Sequence, residues 1–203
     1  MSGPGIRLER SGDLAYLVLD RPPRNAMDSA LFAELRRIAQ VELPGLAVAG
    51  LVVYGRGRHF SSGADVEEIL ASMARQDDAA ASETLRSNLA AVDALGRCPF
   101  PVVAAISGCC FGSAFELALG CHYRIAARNA LLALPEVQHG LMPGCSGTIR
   151  LPALVGRGRA LELILTGRAL AAEEALALGA VDRVVGRADL LATAESFVRR
   201  TPL

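Results

Sequence analysis

The apolar positions along the chain recur at two spacings, and these predict alternating strands and helices. Residues 6–19 predict two apolar strands joined by a polar Ser-Gly-Asp turn at 11–13. A helix with one buried face follows, and Asp28 or Ser29 is placed to cap its start. The apolar positions of that helix are Leu31, Leu35 and Ile38.

The middle of the chain predicts two helices separated by a polar segment. A short strand at 50–54 and a loop at 55–58 come before them. Helical spacing begins at Ala64, and a second helical stretch follows the polar residues 76–82, which we expect to be the most mobile part of the chain. The apolar positions are Val66, Ile69, Leu70 and Met73 in the first helix and Leu85, Leu89, Val92 and Leu95 in the second.

The second half of the chain continues the alternation. A fully apolar strand at 101–106 leads through a turn at 107–112 into a helix from about residue 113, and strands are predicted at 123–127 and 131–134. Such alternation predicts a parallel-rich α/β fold, and we find neither a linker nor an internal repeat. Three further helical stretches are interrupted by Gly156, Gly167 and Gly179.

Composition narrows the class of protein. The 203 residues are 52% hydrophobic, which is ample for one buried core. Lys plus Arg and Asp plus Glu number 21 each, so no overall positive field attracts nucleic acid or an anionic membrane. The first residues lack a signal-peptide pattern, and no run of about 18 apolar residues occurs. We therefore expect a soluble cytoplasmic protein that binds neither nucleic acid nor a membrane.

The five cysteines have no metal-ligand spacing. They number an odd five, and we expect buried, reduced thiols, with no metal site.

Two glycine-containing turns run directly into helical pattern: HFSSGADV at 59–66 and AISGCCFGSAFELALG at 105–120. A helix N-terminus has unpaired N–H groups and the positive end of the helix dipole. Two such turns that converged would stabilise a developing oxyanion. Gly63 and Gly112 lie in these turns, where the absence of a Cβ permits unusual dihedrals and the close approach of a ligand.

At these motifs the chain resembles the crotonase family, the enoyl-CoA hydratase/isomerase superfamily. The resemblance runs through nearly all 203 residues, because further matching segments occur in the family's order. They are RPPRNAMD at 21–28, LPEVQHGLMPGCSGTIRLPALVG at 134–156 and LTGRALAAEEALALGAVDRVV at 165–185.

The resemblance implies a single α/β domain over 1–203, built as a crotonase-like spiral of ββα units. Family members continue beyond the point where Leu203 ends this sequence, so we expect the C-terminal helical extension to be missing or truncated. About 186–203 would then be the start of a shortened C-terminal helical region. The family also implies a homo-oligomer, either a trimer or a hexamer.

The same resemblance implies a set of site residues. Glu116 and Glu136 are the expected catalytic carboxylates, and the backbone N–H groups of Ala64 and Ser113 are the expected oxyanion donors. The substrate is an acyl-CoA thioester, so coenzyme A belongs to the substrate and no separate cofactor is expected. The expected substrate and CoA contacts are Arg24, Ala26, Ser62, Ala64, Asp65, Val66 and Gly112.

For three residues the sequence suggests a role without reference to the family. Glu116 lies inside an otherwise apolar helical pattern, where a charge is costly unless it is partnered or functional. Asp65 is placed to cap the helix that follows Ala64. His59 is expected to be a solvated loop histidine.

The chain departs from the family pattern at several positions. Ser113 and Ala114 replace the second and third of three consecutive glycines, which keeps the N–H of residue 113 but narrows the pocket. His122 stands where an aspartate is frequent and is expected to be structural. His139 stands where an aliphatic residue is frequent, three residues from Glu136, and could perturb that carboxylate.

Hydration of an enoyl-CoA is the leading hypothesis, because the chain has both glutamates that the family's hydratases use. Isomerisation, decarboxylation or thioester hydrolysis of an acyl-CoA is the alternative within the family, and a non-catalytic acyl-CoA-binding protein is a second class. A third reading makes Cys109 or Cys110 a nucleophile near a helix N-terminus. Acyl chain length and pathway are not encoded in any motif that we identify.

Overall fold

The computed structural model describes residues 5–74 and 78–201 as two β-sheets with helices packed around them. The strands are β1 (Ile6–Ser11), β2 (Leu14–Leu19), β3 (Gly50–Gly55), β4 (Val102–Ile106), β5 (Cys109–Phe111), β6 (Tyr123–Ala127), β7 (Leu131–Ala133), β8 (Leu170–Ala171) and β9 (Arg183–Val185). The α-helices are α1 (Ser29–Arg37), α2 (Val66–Met73), α3 (Asp78–Gly96), α4 (Ser113–Gly120), α5 (Gly147–Val155), α6 (Arg157–Thr166), α7 (Ala172–Leu178) and α8 (Leu190–Arg200). A π-helical turn spans Ile38–Glu42, and 3₁₀ turns span Leu43–Gly45, Glu136–His139 and Arg187–Asp189.

The larger sheet has six strands in the order β1-β2-β3-β4-β6-β9. β1 and β2 pair antiparallel, which confirms the predicted hairpin, and every later pairing is parallel. Helices cover both faces of a parallel sheet, so its central strands are apolar without alternation. β4 shows this directly, because all five of its residues are buried.

The smaller sheet has three strands in the order β5-β7-β8. The chain passes from the large sheet at β4 to the small sheet at β5 and then into α4, and it repeats the passage from β6 to β7. This repeated step is the ββα unit of the crotonase-like spiral, so the expected fold class is confirmed. Consecutive units place the connections between the two sheets side by side.

Alternate residues of the large sheet point into two apolar clusters. In β4, Val102, Ala104 and Ile106 face the main cluster, whereas Val103 and Ala105 face a smaller one. The smaller cluster is closed by α8, which buries Leu190, Ala194 and Val198 against the sheet. In the part of the chain that the structure describes, no helix combines the length and the apolar character needed to cross a bilayer.

The first helix follows the predicted pattern closely. Leu31, Leu35 and Ile38 are each 0% exposed. The side chain of Asp28 caps the helix, because its Oδ1 accepts a hydrogen bond of 2.9 Å from the N–H of Leu31. Hydrophobic spacing and cap chemistry therefore located this helix correctly.

Other local predictions need correction. Of the polar segment predicted at 76–82, residues 76 and 77 lie outside the described residues, and residues 78–82 are the first turns of α3 rather than a break. The turn predicted at 107–112 contains a strand, β5, because its backbone pairs with β7, which is distant in sequence. Leu70 of α2 is 46% exposed, so helical spacing there does not mark a covered face.

The two glycine-containing turns meet in the folded chain. Ser61 and Cys110 form a parallel bridge, in which the N–H of Phe111 donates to the carbonyl of Ser61 at 3.2 Å. Gly63 has a φ of +92°, and a Cβ at this position would overlap the carbonyl oxygen of Phe111 and lie 3.7 Å from the Cα of Gly112. The two turns can approach this closely only because residue 63 has no side chain.

Gly63→Ala should therefore destabilise the fold more than Gly57→Ala does. Gly57 has a similar φ of +89°, but no atom lies within 4 Å of the point that a Cβ would occupy, so this variant measures backbone strain alone. We expect about 1 to 2 kcal/mol for Gly57→Ala and about 2 kcal/mol more for Gly63→Ala. Urea unfolding of the two variants measures both losses of unfolding free energy. Equal losses would show that the close contact between the two turns does not contribute to stability.

Candidate active site

The loop before α1 lies along the first glycine turn. The N–H of Ser62 donates to the carbonyl of Arg24 at 2.9 Å. Further along, Met27 and Ala64 form a parallel bridge, and the N–H of Asp65 donates to the carbonyl of Met27 at 3.1 Å. Residues 24–27 and 62–65 are thus adjacent main-chain segments, as the family resemblance implied.

Most of the expected substrate contacts are accessible at this junction. Arg24 is exposed, and Ala26, Ser62, Ala64 and Val66 are half-buried. Asp65 has the structural role predicted for it, because its Oδ1 caps α2 by accepting from the N–H of Glu68 at 3.2 Å.

Asn25 connects this loop to the end of β3, and the sequence analysis did not single it out. It is 0% exposed and has a positive φ of 52°. Its side-chain amide donates to the carbonyls of Arg56, His59 and Phe60 at 2.9 to 3.1 Å, and its Oδ1 accepts from the N–H of Arg21. A polar residue that tolerates a left-handed backbone inside the RPPRNAMD segment was the available signal.

The first turn leaves one backbone N–H free. The hydroxyl of Ser61, also missed from the sequence, accepts from the N–H of Gly63 at 3.0 Å and holds the turn in shape. The next N–H, that of Ala64, donates to none of the residues that the structure describes. A half-buried amide without a protein acceptor is available to a ligand oxygen.

The second turn presents the N-terminus of α4. Gly112 adopts φ +54° and ψ −126°, a conformation that favours glycine, and its carbonyl accepts the N–H of Glu116 at 3.0 Å. Ser113 is the first residue of the helix and is half-buried. An N–H in the first helical turn has no acceptor within the helix, and that of Ser113 has none among the described residues, at the positive end of the helix dipole.

Glu136 lies against the second turn. A Cβ on Gly112 would be 3.1 Å from Oε1 of Glu136, so the carboxylate packs directly on the glycine that precedes Ser113. The Oε2 atom of Glu136 is buried and has no hydrogen-bond partner among the described residues. Burial raises the pKa of Glu136 above its ordinary value.

Glu116 is the more deeply buried carboxylate, with 1% of its surface exposed. Its Oε1 accepts from the N–H groups of Cys145 and Gly147 at 2.8 and 2.7 Å, whereas its Oε2 is buried and unpaired within the described part of the chain. The pKa of Glu116 is raised to about 7, because burial and the charge of Glu136 raise it by more than the backbone donors lower it. The two carboxylates are therefore electrostatic neighbours.

The residues that hold Glu116 were not predicted from the sequence. The Gly-Cys-Ser-Gly-Thr segment at 144–148 has no hydrolase motif, yet its backbone wraps one carboxylate oxygen. Ser146 takes a left-handed φ of 78°, and its hydroxyl accepts from Nε of Arg150, which also pairs with Asp93. Glycines just before a helical pattern were the available signal of an anion-binding turn.

Two of the three histidines, His59 and His122, have structural roles. His59 is half-buried rather than solvated as expected, because its Nδ1 accepts from the N–H of Cys109 at 3.0 Å. Nδ1 of His122 accepts from the N–H of Val102, which confirms the structural role expected of it. His139 is exposed, and burial is the main cause of the raised pKa of Glu136.

The cysteines are free thiols, as expected, and all but Cys109 are buried. Burial raises the pKa of the Cys110 thiol well above its ordinary value. A protonated thiol is a weak nucleophile, so the structure argues against Cys110 in that role.

A surface groove of about 720 Å³ lies elsewhere, along α8. Its lining includes Arg183, Phe197 and Arg200 but neither glutamate. The free N–H groups and the two unpaired carboxylate oxygens define the candidate active site better than volume does, because catalysis depends on positioned groups.

The fold and the site together define a crotonase-type enzyme, an α/β spiral with two carboxylates beside two free main-chain amides. The sequence model of the enoyl-CoA hydratase/isomerase family matches residues 9–201. The chain therefore belongs to the enoyl-CoA hydratase/isomerase family, and its hydratase relatives place it among the lyases.

Two curated relatives support this family assignment. A probable enoyl-CoA hydratase of Bacillus subtilis is 36% identical over 196 residues, which are 93% of this chain and 74% of that protein. The human peroxisomal bifunctional enzyme is 40% identical over 188 residues, which are 92% of this chain and 24% of that much longer protein.

Solved structures include relatives with bound ligands. A "putative enoyl-CoA hydratase" from Thermobifida fusca YX in complex with CoA has a TM-score of 0.85 and 36% identity, and the match covers 96% of this chain and 77% of that one. Its complex with acetoacetyl-CoA has a TM-score of 0.86 and 34% identity, over 96% and 79% of the two chains.

The pKa of Glu116 should make stability depend on pH. The folded-state pKa of about 7 lies above the ordinary 4.5, so the unfolded chain loses this proton first, and the unfolding free energy falls as pH rises from about 4.5 to 7. A shift of this size corresponds to about 3 kcal/mol. Glu116→Gln should remove this loss of stability. Its unfolding free energy should therefore equal that of the wild type near pH 4.5 and exceed it by up to about 3 kcal/mol at pH 8.

Urea unfolding at a series of pH values measures this difference. The exposed Glu162→Gln is the control, for which we expect no gap that opens between pH 4.5 and 7. A constant difference between wild type and Glu116→Gln across this range would contradict the raised pKa.

Proposed function

We propose that the chain adds water in syn fashion across the 2,3 double bond of a 2-enoyl-CoA thioester. The reaction passes through an enolate whose oxygen is held by the N–H groups of Ala64 and Ser113. The observation that carries the proposal is the placement of two carboxylates, the buried Glu116 and the half-buried Glu136, beside the turns that present these amides. Relatives solved with CoA and acetoacetyl-CoA support an acyl-CoA ligand.

The two amides stabilise the charge that develops on the thioester oxygen. In the enoyl-CoA ground state this oxygen belongs to an uncharged carbonyl, and it becomes anionic only as the enolate forms. Fixed donors favour the anionic form without reorganising, and each is worth about 3 kcal/mol in other enzymes. The turns at Gly63 and Gly112 fix both N–H donors before the substrate binds, since the packed main chain prevents either donor from rotating freely.

The two carboxylates divide the acid–base work. Glu116 binds two backbone N–H groups through Oε1, which leaves its Oε2 to orient the water and accept its proton. Glu136 carries the proton that reaches the α-carbon, and its Oε2 is buried and has no partner among the described residues. Hydration thus needs Glu116 ionised and Glu136 protonated, and it needs no cofactor besides the CoA of the substrate.

The presence of Glu116 favours hydration over double-bond isomerisation, which in this family usually needs one carboxylate at the position of Glu136. A second carboxylate with a buried, unpaired oxygen gives water a specific place to bind. Decarboxylation and thioester hydrolysis would use the same donors with other groups, and nothing in the geometry favours either.

The CoA part of the substrate lies along the junction of the two main-chain segments at 24–27 and 62–66. Arg24 contacts a phosphate or the adenine, and the other contacts are with Ala26, Ser62, Ala64, Asp65, Val66 and Gly112. Arg24 suits a phosphate because its guanidinium is exposed at the edge of the site.

We also propose that the chain forms a homo-oligomer, a trimer or hexamer. The adjacent helices α5 and α6 expose large apolar side chains to solvent, and apolar surface of this kind is typical of interfaces. These side chains are Ile149, Leu154, Leu161 and Leu165.

Turnover of crotonyl-CoA and of longer 2-enoyl-CoA thioesters tests the proposed reaction, followed by the loss of the conjugated absorbance. Glu116→Gln and Glu136→Gln should each lower kcat about 10²- to 10⁴-fold, because each removes one proton-transfer group while keeping the shape of the side chain. Binding of acetoacetyl-CoA should change little in either variant, and Glu162→Gln should keep full activity.

The result also separates the classes of function. A folded wild-type protein that binds acetoacetyl-CoA but turns over no enoyl-CoA of any length would rule out the hydratase and favour a non-catalytic acyl-CoA-binding protein.

Arg24→Ala tests the CoA contact. We expect KM for the enoyl-CoA to rise about 5- to 10-fold with little change in kcat, since a phosphate contact remote from the double bond binds substrate and transition state equally. Arg159→Ala removes an exposed arginine from α6 and should change neither constant. A fall in kcat without a change in KM would place Arg24 elsewhere in the mechanism.

A further inference from the structure

A buried arginine sits at the C-terminal end of α4, opposite the end that carries the free amide. Arg124 is only 4% exposed, although arginine is among the residues least often buried. It lies in β6, immediately beyond the end of the helix. Arg124 therefore lies next to the helix that carries both Ser113 and Glu116.

The guanidinium of Arg124 binds carbonyls at and just beyond the C-terminal end of α4. The carbonyl of Ala118, in the last turn, also accepts the N–H of Cys121, and the carbonyls of Cys121 and His122 follow the helix. Nη1 of Arg124 donates to the carbonyls of Ala118 and Cys121 at 3.4 and 2.9 Å, and Nη2 donates to that of His122 at 3.4 Å. A cation at this end also complements the negative end of the helix dipole.

Asp182 fixes the arginine in place. Its Oδ2 lies 3.3 Å from Nη2 of Arg124 and accepts the backbone N–H of the same residue at 2.7 Å. In return, the N–H of Asp182 donates to the carbonyl of Arg124 at 2.8 Å. The guanidinium is thus held against the helix by a side-chain and main-chain clamp between β6 and the segment that leads into β9.

Core filling alone does not explain a charge at this place. A hydrophobic side chain of similar volume would occupy the same space without the cost of removing an ion pair from water. What an arginine adds is a fork of donors that reaches three carbonyls at once and sets the position of the helix end.

We infer that Arg124 is a positioning residue for the reaction, which rests on the proposed roles of Ser113 and Glu116. The eight residues of α4 span about 12 Å and move as one rigid unit, because every residue after Ser113 is buried. A shift or tilt at the Arg124 end therefore displaces the N–H of Ser113 and the carboxylate of Glu116 at the other end. Displacements of about 1 Å at reacting groups cost on the order of 100-fold in rate.

Arg124→Met and Arg124→Lys test this role, with crotonyl-CoA kinetics measured well below the Tm of each variant. Arg124→Met should lower kcat about 10- to 100-fold with KM within about 2-fold, because the remote CoA contacts remain. Arg124→Lys keeps the charge but not the fork, so its kcat should lie between those of Arg124→Met and the wild type. Arg128→Met, which removes an exposed arginine just after the same strand, should keep wild-type kcat.

A purely structural role predicts a different pattern. It would lower Tm and the folded fraction but leave kcat per folded molecule at the wild-type value, and that result would overturn the inference. If Arg124→Met does not fold, the comparison of Arg124→Lys with the wild type decides in the same way.

Amide hydrogen exchange provides a readout that does not need turnover. Arg124→Lys, like Arg124→Met where it folds, should speed exchange of the Glu116 and Leu117 amides at the distant end of α4, whereas faster exchange confined to residues 121–124 would contradict the inference. An inactive wild-type protein would sink the proposed hydration, and the exchange result would still decide whether Arg124 controls the position of the helix.

Discussion

The site depends on how closely two main-chain turns approach each other. Ser61 and Cys110 pair as neighbouring strands do, and Gly63 faces the carbonyl of Phe111 without room for a side chain. This contact is made by backbone atoms, so it is stiff and tolerates little change. The amides of Ala64 and Ser113 follow directly after the two glycines, and their relative position is a consequence of the contact.

A second constraint is electrostatic. Glu116 is buried and Glu136 is half-buried, and burial disfavours the charged form of each. The backbone donors of Cys145 and Gly147 compensate for part of this cost at Glu116 and bring its pKa to about 7. A carboxyl group balanced at this value exchanges a proton readily near neutral pH, whereas a solvated glutamate stays ionised.

The helix α4 connects these two constraints. Its first turn carries the Ser113 amide and Glu116, and the carbonyls of Ala118 in its last turn and of Cys121 just after it are bound by the buried guanidinium of Arg124. The N-terminal loop is fixed in a comparable way by Asn25, whose side chain binds three carbonyls in the loop that follows β3. In both cases one buried polar side chain satisfies several backbone groups, and a flexible segment becomes a rigid support for the site.

Much of the local structure was predictable from the sequence, because it depends on neighbours along the chain. Helical spacing and the caps at Asp28 and Asp65 located α1 and α2, and the apolar run at 101–106 predicted the strand that the structure shows as β4. The family motifs also indicated the glutamates and glycines of the site.

The tertiary structure alone decided which distant groups meet. β5 exists only because β7 lies beside it, and His59 is structural only because the amide of Cys109 reaches its ring. The donors to Glu116 come from residues 145 and 147, about thirty positions further along the chain. Contacts of this kind leave no periodicity or spacing in the sequence, because their geometry is set by the packing of two sheets and not by neighbouring residues.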